Sequence, residues 1–159
     1  MNTPSIRVLI VDDYEPWYRF VSNTLRNHSE FEIIAETTDG LEAVQKAHAL
    51  QPDLILLDIG LPTLNGIEAA RRIRELSPKS KILFLSENRA AEVAQQALNT
   101  GAGGYVVKSD AASDLLPAVK AVLEGKRFIS ASLAGQFQVA TAMTSQTISW
   151  MLALTFGIR

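Results

Sequence analysis

The sequence contains no cysteine and only two histidines. The absence of cysteine excludes disulfide scaffolds, cysteine-ligated zinc sites and thiol nucleophiles. Neither sign of charge is in marked excess, because 15 Lys and Arg residues stand against 17 Asp and Glu residues, for a net charge of -2. This balance provides no global basic field for nucleic acid and no acidic bias of the kind that accompanies disorder.

Long hydrophobic runs are also missing. The apolar end of the chain, ISWMLALTFGI, is far shorter than the ~20 residues of a membrane span. The N-terminal MNTPSIRVLIVDD has no basic start, and its apolar run ends at two aspartates, unlike a signal peptide. We therefore expect a cytoplasmic protein with no membrane span. Its 159 residues suit one globular domain, at about 100–200 residues per domain.

Charged residues are almost absent from the C-terminal part of the chain. Every Asp, Glu, Lys and Arg except Arg159 lies within the first 127 positions, and the remainder is rich in Ser, Thr, Ala and Gln. We therefore predict a folded domain over residues 5–126, followed over 127–159 by a linker and an uncharged, partly helical tail. A helix at about 139–156 is expected to pack on the domain or on a partner subunit.

Five short apolar runs alternate with helical patterns. The runs are IRVLIV at 6–11, FEIIAE at 31–36, LILL at 54–57, KILFL at 81–85 and YVV at 105–107. Runs that are apolar at nearly every position are typical of strands covered on both faces, as in a parallel sheet. Between them, apolar residues recur at helical spacing, for example Trp17, Phe20 and Val21. The alternation predicts an open, doubly wound α/β sheet of five parallel strands.

Polar and charged residues stand at the carboxyl ends of four of these strands. They are Asp12, Asp13, Asp58, Ser86 and Lys108. Ligands of doubly wound sheets bind at this edge. Three neighbouring carboxylates repel one another and favour a bound cation, and ligands that are all oxygen favour Mg²⁺. Because Lys108 adds a fixed positive charge, the set indicates a site for a phosphoryl group, with one carboxylate as its acceptor.

Four segments resemble, in order, the signature segments of bacterial two-component response-regulator receiver domains. They are VLIVDD at 8–13, LLDIGLPTLNGIEA at 56–69, LFLS at 83–86 and GGYVVKS at 103–109. The resemblance covers about residues 5–126. It implies a flavodoxin-like fold, with the five strands in the order 2-1-3-4-5.

The resemblance also implies a phosphoacceptor and a metal site. Asp58 corresponds to the phospho-accepting aspartate of the family. Asp13, Asp58 and the backbone carbonyl of Gly60 correspond to ligands of Mg²⁺. Asp12 would assist the metal, mostly through water.

Three further residues match positions that sense the phosphoryl group in the family. Ser86 matches the hydroxyl that bonds a phosphoryl oxygen, and Lys108 matches the lysine that pairs with the phosphorylated carboxylate. Tyr105 matches the aromatic switch position, whose side chain turns inward when the hydroxyl moves toward the phosphoryl group. Glu87 departs from the pattern, because many relatives carry a small residue there. Its carboxylate is expected to alter the rates of phosphorylation and dephosphorylation.

The function implied by the resemblance is signalling. The chain is expected to accept a phosphoryl group from a sensor histidine kinase or a phosphotransfer protein, and to switch a protein-interaction surface. It is expected not to act as an enzyme that turns over many substrates. The face formed by the fourth helix, the fifth strand and the fifth helix, or the C-terminal tail, is a candidate homodimer interface.

Two other classes of protein fit these residues less well, the first of them with the same fold. A flavodoxin-like FMN protein needs Ser, Thr and Gly donors after the first strand, where this chain has DDYE at 12–15. An aspartyl phosphatase of the haloacid-dehalogenase type needs a second aspartate two positions after the nucleophile, where Gly60 follows Asp58.

The segment LEGKRFISASLAG at 123–135 resembles the exit of NarL/FixJ-type transcription factors, which continue into a helix-turn-helix domain. From Gln136 onward, Arg159 is the only basic residue, so no recognition helix can be drawn and direct DNA binding is not expected. A transcription regulator that lacks its DNA-binding domain remains an alternative.

Overall fold

In residues 5–136, the part of the chain that the computed structural model describes, six strands alternate with five α-helices, and a further helical segment follows the last strand. The strands are β1 (Ile6–Val11), β2 (Phe31–Thr37), β3 (Leu54–Leu57), β4 (Lys81–Ser86), β5 (Gly104–Val107) and β6 (Phe128–Ile129). The helices are α1 (Glu15–Arg26), α2 (Gly40–Leu50), α3 (Gly66–Leu76), α4 (Ala91–Asn99) and α5 (Ala111–Leu123). A 3₁₀ turn, Lys108–Asp110, joins β5 to α5, and residues 131–136 are helical.

The strands form one parallel sheet in the order β2-β1-β3-β4-β5-β6. The doubly wound fold and the order 2-1-3-4-5 are confirmed, but the predicted number of five strands is one too few. In β6, Phe128 lies opposite Gly104 and Ile129 lies opposite Tyr105. The sixth strand was not predicted because its two residues are too few to show an alternating pattern. It forms because α5 returns the chain along the free edge of β5.

The strands are apolar throughout because both faces of the sheet are covered. In β1, Leu9 and Val11 belong to a cluster completed by α2, α3 and α4, whereas Val8 and Ile10 belong to a cluster completed by α1 and α5. All four side chains are at most 1% exposed. Each such burial contributes about 1.5–3 kcal/mol. The two clusters pack against the same strands and hold them in register. This register fixes where the carboxyl ends of the strands lie.

A hydrogen bond ties the loop between β3 and α3 to the start of α2. Asp39 caps α2 by accepting hydrogen bonds from the backbone amides of Leu41 and Glu42, and Thr63 donates its hydroxyl to the same carboxylate at 2.6 Å. These bonds, chiefly the one from Thr63, hold the pKa of Asp39 below its usual value. Thr63 has a φ of 64°, a conformation that is strained for a β-branched residue, and its bond to Asp39 helps to hold it there.

Packing continues beyond residue 126, where the sequence-based prediction placed the end of the domain. Ser130 is fully buried: its amide donates to the Tyr105 carbonyl at 3.0 Å, and its hydroxyl oxygen accepts from the Val107 amide at 2.8 Å. Leu133 is 1% exposed and belongs to the same core cluster as Tyr105. The helix predicted at about 139–156 lies outside the described residues. Within residues 5–136, no helix is long and apolar enough to span a bilayer.

Candidate functional site

The five polar residues predicted at the strand ends meet at one edge of the sheet. The parallel register makes this happen, since the last residues of β1 and β3, Val11 and Leu57, lie directly opposite each other. The edge holds an open pocket of about 750 Å³. The pocket is lined by Asp13, Tyr14, Asp58, Ile59, Gly60, Ser86, Glu87, Asn88 and Lys108. Gly60 therefore borders the same pocket as Asp58, and so does Glu87.

Three carboxylates form the acidic part of the site. Asp12, Asp13 and Asp58 each offer an oxygen, and these oxygens lie within 4.8 Å of one another. Asp12 is 3% exposed and Asp58 is 8% exposed, whereas Asp13 faces solvent. Burial raises the pKa of Asp12, and the charge of Asp58 acts in the same direction. This is the donor set of a hard divalent cation: all oxygen, strongly negative and open to water on the Asp13 side.

Lys108 balances part of this negative charge. Its ammonium nitrogen lies 2.8 Å from Asp12 Oδ2 and 3.2 Å from Asp58 Oδ2, and the lysine is 4% exposed. Burial alone would lower the pKa of Lys108, but the hydrogen bond to Asp12 and the charges of both aspartates outweigh it and raise that pKa. The ammonium therefore remains charged at neutral pH.

Hydrogen bonds from neighbouring residues hold both the backbone and the side chain of Asp58. Its amide donates to the Val11 carbonyl at 3.0 Å, and its Oδ1 accepts from the Ile59 amide at 2.7 Å. Gly66, the first residue of α3, packs against it so closely that a Cβ atom there would lie 1.9 Å from the Asp58 carbonyl oxygen. Glycine is required at this position by close approach of two backbones rather than by φ.

A second group of contacts links Ser86 to Tyr105 through the loop between β4 and α4. The Ser86 hydroxyl oxygen accepts from the Asn88 amide at 3.1 Å, and the Tyr105 hydroxyl donates to the Asn88 carbonyl at 2.7 Å. Tyr105 is fully buried, with its ring 6.3 Å from that of Phe84. Burial raises the pKa of the Tyr105 hydroxyl, against an opposing effect of the nearby Ser86. Tyr105 thus points inward and contacts the loop that follows Ser86.

Three residues of the site were missed by sequence reasoning. Asn88 acts through its backbone, which has no sequence signal. Gly66 lies within the segment at 56–69, but its close approach to Asp58 depends on a loop geometry that no motif reveals. Trp17 follows the helical pattern of α1, and its ring centre also lies 5.2 Å from the Lys108 nitrogen. The roles assigned to the predicted residues stay predictions, although all of them lie in or beside the pocket.

Comparisons with known proteins agree with this fold. The model of the response regulator receiver domain matches residues 8–120. The transcriptional regulatory protein DegU of Brevibacillus brevis is 36% identical over 129 residues, which are 81% of this chain and 55% of DegU. A LuxR-family two-component response regulator from Aurantimonas superposes with a TM-score of 0.82 at 29% identity, over 87% of this chain and 99% of that chain.

The receiver domain of NarL from Mycobacterium tuberculosis superposes with a TM-score of 0.73 at 26% identity, covering 78% of this chain and all of that domain. The chain spans little more than half the length of the curated relatives it matches.

Proposed function

The chain belongs to the response regulator receiver domain family, and on that premise we propose that Asp58 accepts a phosphoryl group from a sensor histidine kinase or a phosphotransfer protein. The observation that carries this proposal is the meeting of three carboxylates with one buried ammonium. Three negative charges against one positive charge leave the site short of positive charge. A divalent cation cancels this deficit, and together with Lys108 it provides the positive charge that an anionic phosphoryl group needs.

In the proposed reaction, a carboxylate oxygen of Asp58 attacks the phosphorus atom of the donor. A new P–O bond forms while the P–N bond of a phosphohistidine breaks, and its electron pair stays on the imidazole that leaves. The product is an acyl phosphate on Asp58. The Ile59 amide and the Lys108 ammonium bond the two carboxylate oxygens and so fix the orientation of the nucleophile.

Asp12, Asp13, Asp58 and the backbone carbonyl of Gly60 are the groups that would hold Mg²⁺. Bound there, the cation would neutralise charge on the transferred phosphoryl group. Asp13 is the exposed member of the set, so its carboxylate is accessible from the pocket. Asp12 already bonds the Tyr14 amide at 2.9 Å and Lys108 at 2.8 Å, which suits the assisting role better than that of a principal ligand.

Phosphorylation would then drive the switch. It adds about -1.5 to -2 charges beside Lys108 and Ser86, the two groups placed to follow that charge. A Ser86 hydroxyl that turns to a phosphoryl oxygen gives up its bond from the Asn88 amide, which shifts the loop between β4 and α4. Tyr105 bonds the carbonyl of the same Asn88, so the movement reaches the surface formed by α4, β5 and α5.

The biological setting completes the proposal. The protein works in the cytoplasm as a signalling switch, and its only chemistry is its own phosphorylation and dephosphorylation. The face formed by α4, β5 and α5, or the C-terminal tail, is proposed as a homodimer interface. Glu87 lines the pocket beside Ser86, so its charge repels anionic phosphodonors and slows phosphorylation, and its side chain obstructs the water that removes the phosphoryl group.

A second candidate function follows from the relatives. DegU is named as a transcriptional regulatory protein, and the chain matches little more than half of it. The same receiver would in that case control a DNA-binding domain in a longer polypeptide, while residues 5–136 themselves bind no DNA. A genomic reading frame that continues into a basic helical domain would support this candidate.

Incubation with acetyl phosphate and Mg²⁺, followed by intact-mass measurement, tests the main proposal. We expect one added phosphate on the wild type, none on Asp58→Asn and none when EDTA replaces Mg²⁺. Asp53→Asn is the matched control, because Asp53 lies at the opposite edge of the sheet and bonds the backbone of Arg7. An unchanged mass increase in Asp58→Asn would overturn the assignment.

A further inference from the structure

The Lys108 side chain forms a wall between two cavities. On one side is the acidic pocket with Asp13 and Asp58. On the other is a groove of about 460 Å³, lined by Pro16, Trp17, Phe20, Lys108, Ser109 and Ala112. The groove lies between α1 and the start of α5. An ammonium group that is 4% exposed thus has an apolar opening behind it.

Trp17 lines that opening beside the lysine. The centre of its ring lies 5.2 Å from the Lys108 nitrogen, within the range of a cation–π interaction. The ring is itself held by Phe20, which packs edge-on against it with centres 5.6 Å apart and planes at 85°. In the described part of the chain, the charged and aromatic groups that contact the ammonium are the carboxylates of Asp12 and Asp58 and this indole.

The contact with Trp17 restrains the lysine side chain, which is otherwise a flexible four-carbon stem with large rotamer freedom. The negative face of an indole attracts the ammonium and leaves its N–H donors for the carboxylates. When Asp58 is phosphorylated, the ammonium can then bond the phosphoryl oxygens from the position that it already occupies. Preorganised charge of this kind needs no rearrangement during the transfer.

We propose that Trp17 is a positioning residue for the phosphotransfer site: its indole face holds the Lys108 ammonium against Asp12 and Asp58. The inference rests on the proposed function of Asp58, and it assigns to α1 a role in the chemistry in addition to its packing. The competing explanation is that Trp17 only fills space between α1 and α5. The two explanations differ in whether an aliphatic residue of adequate size can replace the ring.

The test compares Trp17→Phe with Trp17→Leu in the full chain. The phenylalanine keeps an aromatic face, whereas the leucine keeps apolar volume without one. We expect Trp17→Phe to phosphorylate from acetyl phosphate within about twofold of the wild type, and Trp17→Leu to be slower by about three- to tenfold. Urea unfolding of both variants corrects for any loss of folded protein.

Two further readouts separate positioning from packing. NMR with lysine labelled at Cε should show a ring-current shift of the Lys108 protons in the wild type and Trp17→Phe that is absent in Trp17→Leu. In a Lys108→Gln background, the difference in rate between the Phe and Leu variants should vanish, because Trp17 acts through Lys108. Equal rates and equal lysine shifts in the Phe and Leu variants would overturn the inference.

Failure of the underlying function gives a different result. If the wild type itself gained no phosphate, the role of Asp58 would be wrong. The lysine shifts would still decide whether Trp17 positions Lys108, because that measurement needs no phosphotransfer.

Discussion

The two edges of the sheet accommodate charge in opposite ways. At the carboxyl edge, Asp12, Asp58 and Lys108 are at most 8% exposed and bond mainly to one another. At the amino edge, the Arg7 guanidinium donates to two backbone carbonyls at the end of α2, at 2.7 and 2.8 Å. Lys126 there pairs with a glutamate in an ion pair that solvent surrounds. Exposed pairs of this kind are worth about 0–1 kcal/mol.

The difference separates structural charge from functional charge. Charged side chains at the amino edge lie in turns and near helix ends. Water solvates them there, so they cost the fold little stability. At the carboxyl edge, Asp12, Asp58 and Lys108 are buried, and an apolar cluster of the same volume would often be as stable or more stable. The proposed function accounts for these buried charges, because carboxylates and lysines with shifted pKa values in a pocket are typical of functional sites.

The largest expected effect is the loss of the buried lysine. In metal-free buffer, Lys108→Met should lower the free energy of unfolding by about 3–5 kcal/mol, because Asp12 is left buried without its ammonium partner. Lys81→Met, at the exposed amino edge, should change it by less than about 0.5 kcal/mol. Urea denaturation measures both. Similarly small losses of unfolding free energy in the two variants would contradict the proposed difference between the two edges.

The second effect is stabilisation by magnesium. Free Mg²⁺ at about 100 times its dissociation constant should raise the free energy of unfolding by about 2.7 kcal/mol, because only the folded cluster binds it. Asp13→Asn should lose most of this gain, and Asp53→Asn at the amino edge should keep it. The acidic cluster would not be a metal site if all three proteins responded alike.

Glycine substitutions give a third contrast. A methyl group at Gly66 meets the Asp58 carbonyl, so Gly66→Ala should cost about 2–3 kcal/mol and slow phosphorylation of Asp58. Gly125 at the amino edge has a φ of 81°, and no atom lies within 4 Å of the position that a Cβ would occupy. Gly125→Ala should therefore cost about 1–2 kcal/mol of strain and leave phosphorylation unchanged. A normal phosphorylation rate in folded Gly66→Ala would contradict the close approach.

The smallest effect is a pH dependence with opposite signs at two carboxylates. The pKa of Asp12 is raised, so the folded state binds its proton more tightly than the unfolded chain. In metal-free buffer, the stability of the wild type relative to Asp12→Asn should fall as pH rises from 3.8 through the raised pKa.

Asp39 provides the control for that titration, because its pKa is lowered. The stability of the wild type relative to Asp39→Asn should be fully present above pH 3.8 and should fall as pH drops through the lowered pKa. Unfolding free energies from pH 3 to pH 7 measure both. Slopes of the same sign for the two aspartates would contradict the account of their environments.

The carboxyl edge could be predicted from sequence because local patterns determine it. Apolar runs such as LILL at 54–57 indicate buried parallel strands, and the residue after each run must lie at one edge of the sheet. The position of Asp58 beside Lys108 follows from that logic, although they are 50 residues apart.

Contacts that depend on backbone geometry could not be predicted in this way. The strand β6 is two residues long, and the buried hydrogen bonds of Ser130 appear only once the sheet is assembled. The approach of Gly66 to Asp58 and the contact of Trp17 with Lys108 join different elements at distances that no spacing rule encodes. These are the features that turn a recognised set of residues into a specific geometry.

The most direct test of the central claim is to locate the phosphate. After incubation with acetyl phosphate and Mg²⁺, borohydride reduction converts an aspartyl phosphate to homoserine, and peptide mass spectrometry identifies the position. We predict homoserine at position 58 and nowhere else in the chain. Homoserine at Asp12 or Asp13 instead, or unmodified Asp58 in a protein that has gained a phosphate, would contradict the account.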